Sequence, residues 1–148
     1  MKPDVPKLLE ILSARFMFDV APNVQPSYRQ SSVSITGILL TMVKEETERA
    51  AARRVDENSV LRALFGRASE QVADTELRRK LGAAAASRDP SLLLSELERA
   101  NAELRTLLIE LHAHVEERPD AWARALDGEI WRELVASTER RRLSLAPF

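Results

Sequence analysis

The chain has 148 residues, 45% of them hydrophobic and 30% charged, which is the make-up of one folded domain and not of a disordered segment. A formal net charge of -1 gives no electrostatic reason to bind nucleic acid, and the lack of cysteine removes disulfides and all thiolate chemistry. The opening MKPDVPKLLEILSARF scatters prolines and charges among its apolar residues, unlike a signal peptide, and no apolar run approaches the roughly 20 residues of a membrane span. The expectation is a single cytoplasmic domain over residues 1–148 that engages neither membrane nor nucleic acid.

Only four glycines occur, and the prolines cluster between periodic segments, so long helices are favoured over strands. Leu8, Leu9, Ile11, Leu12, Phe16 and Val20 mark a short first helix starting near Pro6, where proline suits a helical first turn. The stretch from Asp19 to Pro26 is predicted to end it, because residues before prolines avoid helical geometry. A second helix is predicted from Tyr28 to Arg54, with Ile35, Ile38, Leu39, Met42 and Val43 on one face. Beyond Lys44 it turns polar and alanine-rich, so that half is expected to be exposed or to face something polar. Gly37 interrupts the apolar half and marks a close approach of another helix.

Asp56, Asn58 and Ser59 are each suitable N-caps for a third helical segment carrying Leu61, Leu64, Phe65, Ala68 and Val72. No glycine or proline separates it from the second, so one continuous rod is the alternative. Asp74 or Thr75 restarts the pattern around Leu77 and Leu81. Asp89-Pro90 then offers an N-cap followed by a preset first helical residue.

After it runs the stretch that organises the chain, LLLSELERANAELRTLLIELHAHV, from Leu92 to Val115. Leu94, Leu97, Asn101, Leu104, Leu108, Leu111 and Val115 alternate at spacings of three and four, one apolar stripe broken by a single amide. A last helix from Pro119 towards Arg141 turns Trp122, Leu126, Ile130, Leu134 and Val135 inward, and a tail from about residue 143 is expected to fray. The sum is an all-α fold, an antiparallel bundle of four main helices plus a short N-terminal one.

Chemistry-bearing residues are sparse. His112 and His114 are two apart on a helix and point away from each other, so they cannot share a metal ion. Glu110 with His114, and His112 with Glu116, are i,i+4 pairs, but the Glu-x-x-His motif of di-metal carboxylate bundles is absent. The sharpest enzyme reading is a mononuclear metal site from Glu46, Glu110 and His114; the plain reading is rim histidines paired with carboxylates. No G-x-S-x-G elbow or phosphate-binding glycine loop exists, so no catalytic residue and no cofactor is assigned. The basic runs Arg53-Arg54, Arg78-Arg79-Lys80 and Arg140-Arg141-Arg142 read as solvated helix faces. Tyr28, Trp122 and Trp131 read as core aromatics. Asn101, flanked by Leu97 and Leu104, is the candidate interface, because a buried amide either finds an intrachain partner or pairs across a homodimer.

The segments PKLLEILSARFMFDVAP and SYRQSSVSITGILLTMVKEE together resemble a small bacterial helical family without assigned function. Its members share a leucine-rich helix, a proline turn, an aromatic-Arg pair and a helix ending in acidic residues. Their genes lie beside those of acyl-CoA dehydrogenases and aminoglycoside-phosphotransferase-like kinases. The resemblance covers the first third of the chain; after Tyr28-Arg29 this sequence has serines in place of an alanine-asparagine pair. It implies an accessory role near acyl-CoA or phosphotransfer metabolism and brings no catalytic residues. The expectation is therefore an accessory or protein-interaction module, a homodimer or the partner of a second protein. The alternative is a small-ligand-binding or metal-dependent enzyme with its site between helices.

Overall fold

The structure, a computed structural model, describes residues 4–144; the tail expected to fray beyond Ser144 lies outside the described residues. Among the described residues all regular structure is helical, in five α-helices: α1 (Val5–Ala14), α2 (Ser27–Gln71), α3 (Thr75–Ala86), α4 (Leu94–Glu116) and α5 (Ala121–Arg141). None is long and apolar enough to cross a membrane. The all-α expectation holds. The chain gathers into two compact units, Met1–Ala50 with Leu143–Phe148, and Ala51–Arg142. The sequence turns polar and alanine-rich beyond Lys44, but α2 runs through residue 50 without a break, so no turn or helix breaker announces that division.

In the first unit, the side chain of Asp4 accepts from the Lys7 amide and Pro6 occupies the first turn of α1, as proline there costs no hydrogen bond. The turn expected from Asp19 comes later. Helical geometry continues through a π-helical stretch, Arg15–Val20, and a short 3-10 turn, Ala21–Asn23, and ends where Val24 turns extended. Pro22 fits because it lies in the first turn of that 3-10 segment, where its missing N–H is not needed. α1 meets the first half of α2 through small and hydroxylic groups. Ser13 Oγ lies 2.7 Å from both the Gly37 carbonyl, to which it donates, and Thr41 Oγ1. A Cβ on Gly37 would collide with Met17 Cγ and come within 3.1 Å of the Ser13 carbonyl oxygen, so glycine here permits the close approach inferred from sequence.

In the second unit, α2 continues without interruption past Asp56, Asn58 and Ser59, so these are not caps, and the one-rod alternative is the outcome. Asp74 caps α3, accepting from the Leu77 amide at 2.7 Å. Leu61, Phe65, Leu81, Leu108, Leu111 and Ile130 stand at the centre of the core formed by α2, α3, α4 and α5. Leu97, Leu104, Leu108, Leu111 and Val115 of the stripe are all buried, as their spacing requires, whereas Leu94, in the first turn of α4, stays exposed. Two expectations fail for one reason. Asp89-Pro90 does not open α4, which starts at Leu94: the Asp89 carboxylate is instead taken by Arg62, at 2.7 Å, and Asn58, at 2.8 Å. Val135 does not turn inward on α5; Glu133 and Ser137 hold the buried positions there. In both places a polar contact across the unit, invisible to apolar periodicity, decides the outcome. Nor are all the aromatics core, for Tyr28 and Trp131 are exposed and only Trp122 packs partly against it.

Two glycines yield opposite outcomes. Gly37→Val is expected to loosen α1 from α2, at roughly 1–3 kcal/mol for an overpacked contact, and to speed hydrogen exchange of the α1 amides. Gly82 lies inside α3 with nothing within 4 Å of an added Cβ. Gly82→Ala is therefore expected to stabilise the chain by about 0.5–1 kcal/mol and raise Tm by a few degrees in a thermal melt.

Candidate functional site

Three helices of the second unit each continue an apolar stripe with a polar residue. On α2 the buried series Glu57, Leu61, Leu64, Ala68, Val72 places a carboxylate one turn before the leucines. On α4 the corresponding residue is Asn101, and on α5 it is Ser137, two turns beyond Ile130. These side chains meet. Glu57, only 1% exposed, accepts through Oε1 from Ser137 Oγ at 3.1 Å and Arg141 Nε at 3.0 Å. Its Oε2 accepts from Arg54 and Arg141, each at 2.8 Å, and from Asn101 Nδ2 at 3.4 Å. Asn101 Nδ2 also donates to Asn58 Oδ1 at 2.9 Å, and Asn58 donates on to Asp89. Arg54 completes the chain by donating to Glu98 at 2.6 Å.

Burial alone pushes the Glu57 carboxyl up in pKa. The two-pronged bond from Arg141, the charges of Arg141 and Arg54 and the Ser137 hydroxyl outweigh it and lower the pKa to about 2. A carboxylate so fully engaged is held ionised and offers no lone pair to a substrate. This cluster is a structural joint, and its chemistry is finished within the chain.

Asn101, Leu97 and Leu104, the residues expected at an interface, all lie in the interior of this unit. The Asn101 amide is satisfied by Asn58 and Glu57, so these three present no surface to a second chain. The metal set Glu46, Glu110 and His114 is divided: Glu46 belongs to the first unit, the other two to the second. Glu110 is ion-paired with Lys80 of α3 at 2.7 Å, and His114 Nε2 accepts from Arg118 Nε at 2.9 Å. Neither is part of a convergent group of three ligating side chains among the described residues. The basic runs likewise resolve into local pairs. Arg78 donates to the Val72 carbonyl, Arg79 pairs with Glu76, and Arg140 pairs with Glu133.

What remains open is the surface of the first unit. Val5, Leu8, Ile11 and Leu12 on α1, Phe18 and Val20 after it, and Tyr28, Ile35, Ile38, Leu39 and Val43 on α2 are all exposed. Phe18 is 72% exposed and Tyr28 69%. Between residues 4 and 50 the buried side chains are small, Ser13, Ala21 and Ala50; no large apolar side chain is fully buried there. The hairpin therefore encloses only small residues fully, half-buries Leu9, Phe16, Met17, Leu40 and Met42, and leaves eleven large apolar side chains exposed. The spacing of Ile35, Ile38, Leu39 and Met42 shows an apolar face in the sequence; the exposure of Ile35, Ile38 and Leu39 does not follow from spacing.

No family model matches the chain, and no curated protein or solved structure is similar to it.

The Glu57 joint sets a pH dependence. Its pKa is lowered on folding, so its contribution, about 3 kcal/mol by linkage, is complete above about pH 4.5 and is lost as pH falls towards 2. Asp89, lowered by its bond from Arg62 and partly buried, acts in the same direction. Glu57→Gln is expected to cost about 3–5 kcal/mol at neutral pH and to flatten the loss of stability between pH 5 and 3. Urea unfolding followed by circular dichroism across that range measures both.

Proposed function

We propose that this protein is an accessory interaction module that self-associates through the apolar surface of its first unit, a second copy of the chain being the occupant. The observation that carries the reading is the row of eleven large apolar side chains exposed between Val5 and Val43. At these exposures they leave on the order of 1,000 Å² of side chain in water, summed over the eleven, and large exposed apolar area is what association sites present. One partner's share of a standard interface is about 800 Å².

Charge supports a second copy over a charged partner. The ionic residues around the apolar side chains are of both signs and paired: Lys7 with Glu10, Arg15 with Asp19, Lys44 with Glu10. These described pairs set up no one-signed field to select an acidic or basic partner. A helical hairpin pairing with its own copy makes a four-helix arrangement, the usual way to bury two such stripes, and two-fold pairing covers both copies at once.

The accessory role beside acyl-CoA or phosphotransfer enzymes rests on the resemblance of residues 6–46 alone, the same stretch that holds this surface. Catalysis has no comparable support, since the carboxylate most perturbed in pKa is closed within the joint.

Sedimentation equilibrium of the untagged chain at about 100 µM is expected to give twice the 16.6 kDa chain mass. Ile35→Glu with Leu39→Glu, both at exposed positions, is expected to give a folded monomer with unchanged helical circular dichroism. A monomeric wild type under these conditions would overturn the reading.

A further inference from the structure

Apart from the Glu57 joint, α4 and α5 bring together one histidine and two carboxylates. His112 and Glu116 stand one turn apart on α4, and Asp127 faces them from α5. One ligating atom from each lies within 4.8 Å of the other two. From His112 Nε2 the distances are 2.8 Å to Asp127 Oδ1 and 3.6 Å to Glu116 Oε1.

Three observations separate this group from an ordinary surface pair. First, Nε2 carries at most one hydrogen, which serves Asp127; Glu116 at 3.6 Å is beyond a hydrogen bond and is left facing the same point. Second, no lysine or arginine forms an ion pair with either carboxylate among the described residues, so two negative charges share one imidazole. Third, the imidazole is held in place: its ring meets the Trp131 ring edge-on, centroids 5.5 Å apart at 81°, and Trp131 stands one turn beyond Asp127 on α5. Glu116 and Asp127 also border a cleft of about 240 Å³ shared with Arg118 and Arg124, whose guanidiniums donate elsewhere, to His114 and to the Pro119 carbonyl.

We propose that His112, Glu116 and Asp127 form a mononuclear site for a first-row divalent cation, zinc foremost. One imidazole nitrogen with two carboxylate oxygens is a borderline-to-hard donor set that suits zinc, manganese or iron(II) and not the thiol-seeking ions. Ligands each about 2.0–2.2 Å from zinc lie roughly 3.0–3.5 Å apart, between the two distances measured from Nε2. Three protein ligands with an open side is the coordination of sites that hold a water or a small anion in the remaining position. The i,i+4 pair His112–Glu116 is readable in the sequence; Asp127 is joined to it only by the packing of α5 on α4.

The test is a titration of the untagged, chelator-treated full chain with zinc by calorimetry, and with cobalt(II) by its visible absorption. One site per chain is expected. Glu116→Gln, an exposed side chain whose loss leaves the fold intact, and Asp127→Asn are each expected to weaken zinc binding by at least about ten-fold. His114→Ala, outside the group, is expected to bind as wild type does. Absence of stoichiometric zinc binding, or binding that survives both Glu116→Gln and Asp127→Asn, would overturn the proposal. So would binding lost in His114→Ala.

Discussion

The second unit depends on a single ionised carboxylate kept out of water. Removing Glu57 from solvent costs several kcal/mol unless its lone pairs are met, and here they are met by donors from three helices: Arg54 of α2, Asn101 of α4, Ser137 and Arg141 of α5. Directional bonds of this kind restrict the helices in a way that leucines do not. Sliding α5 by one residue moves Ser137 by 1.5 Å and turns it through about 100°, so both the hydroxyl and the Arg141 fork lose the carboxylate. An apolar side chain shifted by the same amount would still touch apolar neighbours. The joint therefore sets register, while Phe65, Leu81, Leu111 and Ile130 supply the bulk of the burial.

The first unit is built the other way round. Its interhelical contact is Ser13 against Gly37 and Thr41, two hydrogen bonds and a close backbone approach, with no large side chain fully enclosed. Net stabilisation from such bonds is about 1 kcal/mol apiece, well short of the ordering cost of two helices. Apolar burial is the usual source of the difference, and here it comes from half-buried side chains such as Leu9, Phe16, Met17, Leu40 and Met42, while eleven other large apolar side chains stay exposed.

Most of the helical pattern was legible, since it is set by spacing. The stripe from Leu94 to Val115 lies in the interior over most of its length, Asp74 caps α3 as its type suggests, and Gly37 lies at a close approach. The errors share a cause. Asp56, Asn58 and Asp89 have the side chains of good caps, but Asn58 and Asp89 are spent on partners 31 and 27 residues away, on each other and on Arg62, and α2 runs on. Cap preference is a local property, and a buried partner across the unit overrides it. Glu57 and Ser137 continue the periodic positions of their helices, so a search for polar residues in register with the leucines would have singled them out. Their mutual contact would still have needed the fold.

The same arithmetic of charge that makes Glu57 inert distinguishes the group at His112. Along α4, Asn101 and His112 are separated by about 16 Å, and the two clusters stand in different electrostatic conditions. Around Glu57 two guanidiniums face one carboxylate, the carboxyl is held far below its ordinary range, and every lone pair is occupied. Around His112 two carboxylates face one imidazole, and among the described residues no guanidinium is ion-paired with either. An excess of fixed positive charge closes a site. An excess of carboxylate, held on two helices and braced by an indole, leaves a place that a divalent cation would complete. That difference in charge balance, and not the residue types alone, is why the chemistry of this unit is assigned to the α4–α5 face and its stability to the joint.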